Sequence, residues 1–211
     1  MSIEITLLNK TISLVGKRCS GKSELLKFLV SYERKKFHKI FCICPTEAVN
    51  GFYSKLIPSN CIFDEWTEEW TNNLIKQMTE TNKGKQPNER KNVLLILDDL
   101  ICDVNFASSP SLKKLYSRGR HINISIIITQ QYMYGIPPVC RNNTDFCLVS
   151  QLNRASIMLL LDEYMSGEID RKQFIDLYNR ATIDYNFLVI NCNSVKSGDL
   201  NEIYGIIKAP L

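Results

Sequence analysis

Residues 11–33 read TISLVGKRCSGKSELLKFLVSYE, and this stretch decides the fold. Thr11–Val15 is a short run of aliphatic and β-branched residues, the pattern of a buried strand. Lys22–Glu33 carries apolar residues at helical spacing. Between them, Gly16–Ser23 (GKRCSGKS) fits G-x-x-x-x-G-K-[ST]. The two glycines let the backbone wrap closely and take angles that other residues avoid. Successive N–H groups of Gly16, Lys17, Arg18, Cys19, Ser20 and Gly21 then point inward as an anion-binding nest. The helix that starts at Lys22 and Ser23 adds the positive end of its dipole. Lys22 is placed to reach the β- and γ-phosphates of ATP, and the Ser23 hydroxyl to ligate Mg²⁺.

Further along, Val93–Asp99 reads VLLILDD. A buried strand would deliver Asp98 and Asp99 to the carboxyl edge of a parallel sheet, where ligands bind in this architecture. Asp98 is the better candidate for holding Mg²⁺ through a water, and Asp99 for polarising the attacking water as general base. The pair also separates subclasses. A small GTPase would carry Asp-x-x-Gly here, whereas the chain reads Asp98-Asp99-Leu100-Ile101. The nearest approach to a guanine-reading Asn-Lys-x-Asp is Asn82-Lys83-Gly84-Lys85, which ends in the wrong residue. A third apolar run, Ile124–Thr129, ends in Thr129, Gln130 and Gln131. Gln130 has an amide able to donate to phosphate and accept from water, and is expected near the γ-phosphate.

Other apolar runs at Lys39–Cys44, Asp145–Ser150 and Tyr185–Asn191 read as strands, and Ser2–Leu8 and Glu202–Lys208 as candidate edge strands. Helical patterns cover Glu68–Glu80, Leu112–Arg118, Arg154–Tyr164 and Arg171–Arg180. Alternation of this kind predicts a doubly wound α/β fold, a mainly parallel sheet with helices on both faces. The 211 residues are expected to form a single domain, 1–211, with no room before the phosphate loop for an accessory domain. Thr81–Lys91 (TNKGKQPNERK) reads as a mobile surface loop.

Composition adds bounds. The eight cysteines form no C-x-x-C pair, and His38 and His121 are not spaced with them as zinc ligands. Cys42, Cys44, Cys147 and Cys192 read as buried thiols of a reducing compartment. No signal peptide and no membrane-spanning run is present in the sequence. The net charge of +4 permits nucleic acid as a partner without demanding it. Trp66 and Trp70, four residues apart, read as core or partner contacts, and Tyr132 and Tyr134 as a loop able to meet DNA or a neighbouring subunit.

GKRCSGKS, CPTEAVNGFY, VLLILDDL, SRGRHINISIIITQQ and VCRNNTDF, in this order and spacing, resemble the genome-packaging ATPases of nucleocytoplasmic large DNA viruses, the poxvirus-type branch of the FtsK–HerA superfamily. The resemblance covers about residues 11–150. It implies an additional-strand P-loop ATPase that works as a homo-oligomeric ring, pentamer or hexamer. Such a motor drives double-stranded DNA into a preformed capsid, with capsid or portal proteins as partners and the host cytoplasmic virus factory as its setting. On that reading Lys22 and Ser23 bind nucleotide and metal, Asp98 and Asp99 are the metal-binding and catalytic acids, and Gln130 is the sensor. A cation supplied in trans would complete the site, with Arg141 the first choice, because it precedes a strand beside the Gln130 end of the sheet, and Arg120 the second. The rival reading is a nucleoside or nucleotide kinase using the same loop, with Arg154, Arg171 and Arg180 as a lid. An assembly switch without catalysis is a third, opposed by the intact Lys22, Ser23, Asp98 and Asp99.

Overall fold

The computed structural model describes residues 3–100, 106–165, 167, 169–193 and 200–210. Ser2, Ile101 and Cys102, which entered the sequence reading, lie outside them. Eight strands form one sheet in the order β3-β2-β4-β5-β1-β6-β7-β8. They are β1 (Thr11–Val15), β2 (Lys39–Ile43), β3 (Ile62–Phe63), β4 (Val93–Asp98), β5 (Ile124–Gln130), β6 (Phe146–Val149), β7 (Asn186–Asn191) and β8 (Tyr204–Lys208). The six strands from β3 to β6 run parallel, and β7 and β8 continue the sheet antiparallel. The unalternated apolar runs have their cause here: β1 and β5 are buried along their whole length, with cover on both faces.

Side chains alternate between two cores. Leu95, Leu97, Ile126 and Ile128 point into a layer built by α3 (Glu68–Asn82), α4 (Pro110–Arg118), α6 (Arg154–Leu160) and α7 (Arg171–Ala181), through Leu74, Leu112, Leu160 and Phe174. Leu94, Ile96 and Ile127 point the other way, onto Leu25, Leu26, Leu29 and Val30 of α1 (Lys22–Glu33). Three short helices, α2 (Glu47–Asn50), α5 (Pro138–Arg141) and α8 (Leu200–Ile203), fill connections. Trp66 is buried edge-on to Phe106 just before α3, and Trp70 packs on Phe41 and Phe63, so both indoles belong to the core. No described helix is long and apolar enough to cross a membrane.

The structure departs from the sequence reading in four places. The expected edge strand at Ser2–Leu8 is not formed by residues 3–8. This segment lies as coil against α1, where Leu7 is fully buried and its N–H donates to Glu33 Oε2 at 2.7 Å. A charged acceptor on α1 takes the bond that a sheet ladder would have made. Glu202 falls in α8, so the edge strand at the far end is shorter than expected. The helix expected over Arg154–Tyr164 is α-helical only to Leu160 and closes in a π turn, Leu161–Met165. Glu163 and Tyr164, on that wider turn, bind Arg141 by its Nε and its carbonyl oxygen. Thr81–Lys91 is at the surface, but Asn82 pins its neck, donating to Lys91 O at 2.9 Å and accepting from Lys91 N at 2.8 Å.

At the amino edge of the sheet, Asp145 ties β6 to β1. It accepts from Thr11 N at 2.8 Å, Thr11 Oγ1 at 3.0 Å, Asn193 Nδ2 at 2.8 Å and Lys10 Nζ at 3.3 Å. Burial alone would raise this carboxyl, but the Thr11 N–H, Asn193 and Lys10 hold it below its ordinary 3.8. A depressed folded pKa gives stability that is present above the unfolded value and is lost as pH falls through the folded value. Asp145→Asn turns one acceptor into a donor facing donors. The variant is expected to lose about 1–3 kcal/mol at neutral pH and to show a flatter acid limb below about pH 4. Urea melts from pH 7 to pH 2.5 check both.

Candidate active site

The phosphate loop hangs between two strands. Gly16 N donates to Gln130 O of β5 at 3.0 Å, and Lys17 N donates to Gln151 O, just past β6, at 2.9 Å. Gly21 caps α1 at φ +87°, in the left-handed region, and a Cβ there would stand 3.0 Å from the Ala209 Cβ. Backbone angle and close approach both demand glycine. Cys19 is also left-handed, at φ +59°. Gly21 contributes no side-chain cap, so the first N–H groups of α1 are open to an anion. Lys22 Nζ donates to Gly16 O at 2.6 Å and to Lys17 O at 2.9 Å, bridging the mouth of the loop. Burial pulls the Lys22 pKa down, and the charges of Asp99 and Asp98 oppose that shift. A cavity of about 270 Å³ opens here, lined by Cys19, Ser20, Gly21, Lys22, Ser23, Glu24 and Tyr185. Lys17 and Arg18 stand exposed beside it, while the Ser20 hydroxyl is buried without a partner.

The carboxylates arrive on β4, two strands away. Asp98 pairs in register with Thr129 of β5. The Thr129 hydroxyl donates to Asp98 Oδ1, and the Cys44 thiol donates to Oδ2 at 3.4 Å. Burial, its largest cause, pushes the Cys44 thiol up to about 11, so it remains a donor at neutral pH. Asp99 turns out of the strand at φ +51°, and its N–H donates to Thr129 O at 3.2 Å. Gln131 Nε2 donates to Asp99 Oδ2 at 2.7 Å. Asp99 Oδ1 is buried and has no hydrogen-bond partner. An unmatched buried acceptor is costly, and it marks where an incoming donor would be welcome.

The expected sensor and the expected arginine stand elsewhere. Gln130 keeps the parity of Ile126 and Ile128, so its side chain turns toward the layer of α3 and α4 and away from α1. It is fully buried against Gly135, and both amide atoms lack partners. Gln131, past the last strand residue, takes the position beside Asp99. Arg141 lies at the end of α5, which descends to the start of β6, and the start of β6 pairs with that of β1. That is the amino edge of the sheet. Arg141 is 7 % exposed, donates through Nε to Glu163 at 2.6 and 2.9 Å, and donates through Nη1 to Ile136 O. Arg120 is exposed at the same amino edge and lines a polar cavity with Thr11, Asn143, Asp145 and Asn193.

Two residues at the site carried no adequate signal in the sequence. The Gln131 bond to Asp99 depends on where β5 ends, and boundaries are poorly encoded. Tyr185 arrives through a turn, Ile183–Asn186, in which Asp184 and Tyr185 are both left-handed, at φ +55° and +60°. Nothing in Ile-Asp-Tyr-Asn announces that conformation.

The chain belongs to the poxvirus A32 protein family, which it matches over residues 6–205. It is 28 % identical over 207 residues to an uncharacterised protein of Invertebrate iridescent virus 6, covering 97 % of this chain and 79 % of the relative. An uncharacterised protein of Invertebrate iridescent virus 3 is 27 % identical over 200 residues, covering 94 % and 75 %. Among solved structures, the genome packaging NTPase B204 from Sulfolobus turreted icosahedral virus 2 in complex with AMP superposes with a TM-score of 0.67. That match has 16 % identity and covers 96 % of this chain and 98 % of B204. The same protein in complex with AMPPCP gives a TM-score of 0.67 at 17 % identity, covering 96 % and 99 %.

If the loop holds a triphosphate, its charge depends on Lys22. Lys22→Ala is expected to remove measurable ATP affinity in equilibrium titration while the circular dichroism spectrum and melting curve stay native. A folded variant with unchanged affinity would sink the assignment of the loop.

Proposed function

We propose that this A32-family chain is a Mg²⁺-dependent ATPase acting as one domain, 1–211, that assembles into a homo-oligomeric ring and drives double-stranded DNA into a preformed capsid. One observation carries the chemistry. β5 stands between the strand that ends in the phosphate loop and the strand that ends in Asp98 and Asp99, hydrogen-bonded to both. A triphosphate seated at the loop would thus have its far end directed at the two carboxylates. The relationship to B204, a genome packaging NTPase, supports the motor reading.

The donor set fits the metal. The Ser23 hydroxyl and the Asp98 carboxylate are hard oxygen ligands, and Mg²⁺ takes one or two such protein groups beside substrate phosphates. When bound, the ion would neutralise charge on the β- and γ-phosphates. Thr129 and Cys44 hold the Asp98 carboxylate by its two oxygens and fix its orientation. Lys22, held at the Gly16 and Lys17 carbonyls, would add positive charge for the phosphates. Asp99 acts on water: Gln131 anchors its Oδ2, and its Oδ1 has no partner within the chain. The water oxygen forms a bond to the γ-phosphorus, the bond from that phosphorus to the β–γ bridging oxygen breaks, and the water proton passes to Asp99 as ADP leaves. In this assignment Gln131 takes the role expected of Gln130, whose carbonyl instead supports Gly16.

The kinase reading is weaker. Arg154, Arg171 and Arg180 are exposed and spread over α6 and α7, and the unpartnered oxygen of Asp99 suits water as acceptor. The arginine supplied in trans is Arg120 in this reading. Arg141 is held by Glu163 and would have to abandon a buried ion pair, a loss that is strongly destabilising.

Phosphate release is expected to rise on adding double-stranded DNA of any sequence and not on adding nucleosides, with the stimulation falling steeply with salt. Asp99→Asn should still bind Mg-ATP but turn over at least ~100-fold more slowly, the scale of a lost general base. DNA-independent turnover, or transfer of phosphate to a nucleoside, would reject the motor in favour of the kinase. A mixture of Arg120→Ala and Lys22→Ala subunits should recover ATPase activity that each alone lacks. If no mixture recovers, Arg120 is not the shared residue.

A further inference from the structure

Of the residues lining the phosphate-loop cavity, one comes from the antiparallel side of the sheet. Tyr185 precedes β7 at φ +60°, directly after Asp184 at φ +55°. Asn186 N donates to Ile183 O at 3.1 Å and closes a tight turn around them. Two successive left-handed residues normally call for Asn or Gly, and a bulky aromatic in that region is an outlier. The surroundings hold it there. Ala209 N donates to Tyr185 O at 3.1 Å, Lys208 pairs with Asp184 at 2.5 Å, and Ser150 Oγ donates to Asn186 O at 3.2 Å. The ring reaches the phosphate loop: its Cδ1 lies 3.4 Å from where a Cβ on Gly21 would stand. The residue is nevertheless 41 % exposed, so the ring is backed on one side and open on the other.

Position along the site decides what meets the open side. Asp98, the last residue of β4, and Asp99 just past it mark the γ-phosphate end. The loop spans from β5 to β6, and Tyr185 stands past β6, on the flank away from the carboxylates. A nucleoside triphosphate whose γ-phosphate points at Asp99 therefore carries its base toward Tyr185.

We propose that Tyr185 is the platform on which the nucleobase stacks, and that the left-handed turn at Asp184–Tyr185 exists to aim its ring along the open flank of the cavity. The proposal rests on the phosphate-loop site reading given above. Backbone strain retained at a ligand-facing residue is the expected signature of such a role. An aromatic face recognises a base through its π surface, without reading its edges.

The test uses the full chain with Mg²⁺ and two probes, ATP and inorganic tripolyphosphate, which lacks a base. Tyr185→Gly keeps the backbone angle without the ring, and Tyr185→Phe keeps the ring. Tyr185→Gly is expected to bind ATP roughly ten-fold more weakly, the scale of one base–aromatic stack, to bind tripolyphosphate as wild type does, and to melt at a higher temperature because the strain is relieved. Tyr185→Phe should match wild type in ATP affinity. Unchanged ATP affinity in Tyr185→Gly overturns the proposal. So does an equal loss for both probes, which would make the ring a prop for the loop. Lys22→Ala separates the two readings: if it still binds tripolyphosphate, the phosphate site itself is wrong, whatever Tyr185 does.

Discussion

β5 is hydrogen-bonded to β1 on one side and to β4 on the other, and the site is a consequence of that double pairing. The Gln130 carbonyl fixes the first N–H of the phosphate loop, the Thr129 carbonyl fixes the N–H of Asp99, and the Thr129 hydroxyl binds Asp98. Thr129 and Gln130 thereby set the spacing between the phosphate loop and the two carboxylates. The other side of the loop is fixed in the same manner. Tyr178 on α7 donates to Ser150 O at 2.5 Å and accepts from Leu152 N at 2.7 Å, which holds the turn whose Gln151 carbonyl receives Lys17. The loop is tied at both flanks to buried structure, so the glycine-rich backbone is not left to find its shape alone.

The two edges of the sheet differ in how their polar groups are treated. At the amino edge, Asp145 accepts four hydrogen bonds, and the left-handed residues are Asn9 and Asn123, a type that tolerates that region. At the carboxyl edge, Cys19, Asp99, Asp184 and Tyr185 are left-handed, and Ser20 Oγ and Asp99 Oδ1 are buried without partners, as Asn123 Oδ1 is at the amino edge. Residues in such conformations cost about 1–3 kcal/mol each. Two packed cores, one on each face of the sheet, offset that cost, and the left-handed residues other than Asn and Gly stand at the edge where a ligand would act.

The strands and long helices are legible in the sequence because their physics is local. β1, β4 and β5 are apolar runs that need cover on both faces, and the helical pattern of Lys22–Glu33 matches α1 at both boundaries. The loop at Gly16–Ser23 is legible as a strand-to-helix turn because backbone angle and close approach dictate glycine at Gly21. What is not legible depends on the ends of elements. Gln130 and Gln131 are chemically identical, and only the residue at which β5 stops dictating side-chain parity tells which amide meets Asp99. Arg141 follows the Gln130 end in sequence, yet a short stretch of helix and loop carries it to the opposite edge, where Glu163 from a π turn claims it. Ser2–Leu8 has the composition of an edge strand, but the acceptor that Leu7 uses is on α1, 26 residues away.

The burial of Arg141 bears on the proposed coupling between subunits. A guanidinium with Nε shared between both Glu163 oxygens and Nη1 on Ile136 O has its geometry fixed by its own chain. Moving the guanidinium away would strand Glu163 and break the ion pair between α5 and the π turn, a strongly destabilising loss. In the proposed ring, a cation that crosses between subunits has to be exposed, as Arg120 is. Its base, Gly119, sits against Ile124 O, where an added Cβ would stand 3.1 Å away, so the backbone of the Gly119–Ile122 turn is packed onto β5. β5 is the strand that also positions Asp98, Asp99 and the phosphate loop. In the proposed ring, a push on Arg120 from an adjoining subunit would bear on one end of the strand whose other end accepts from Gly16 and Asp99.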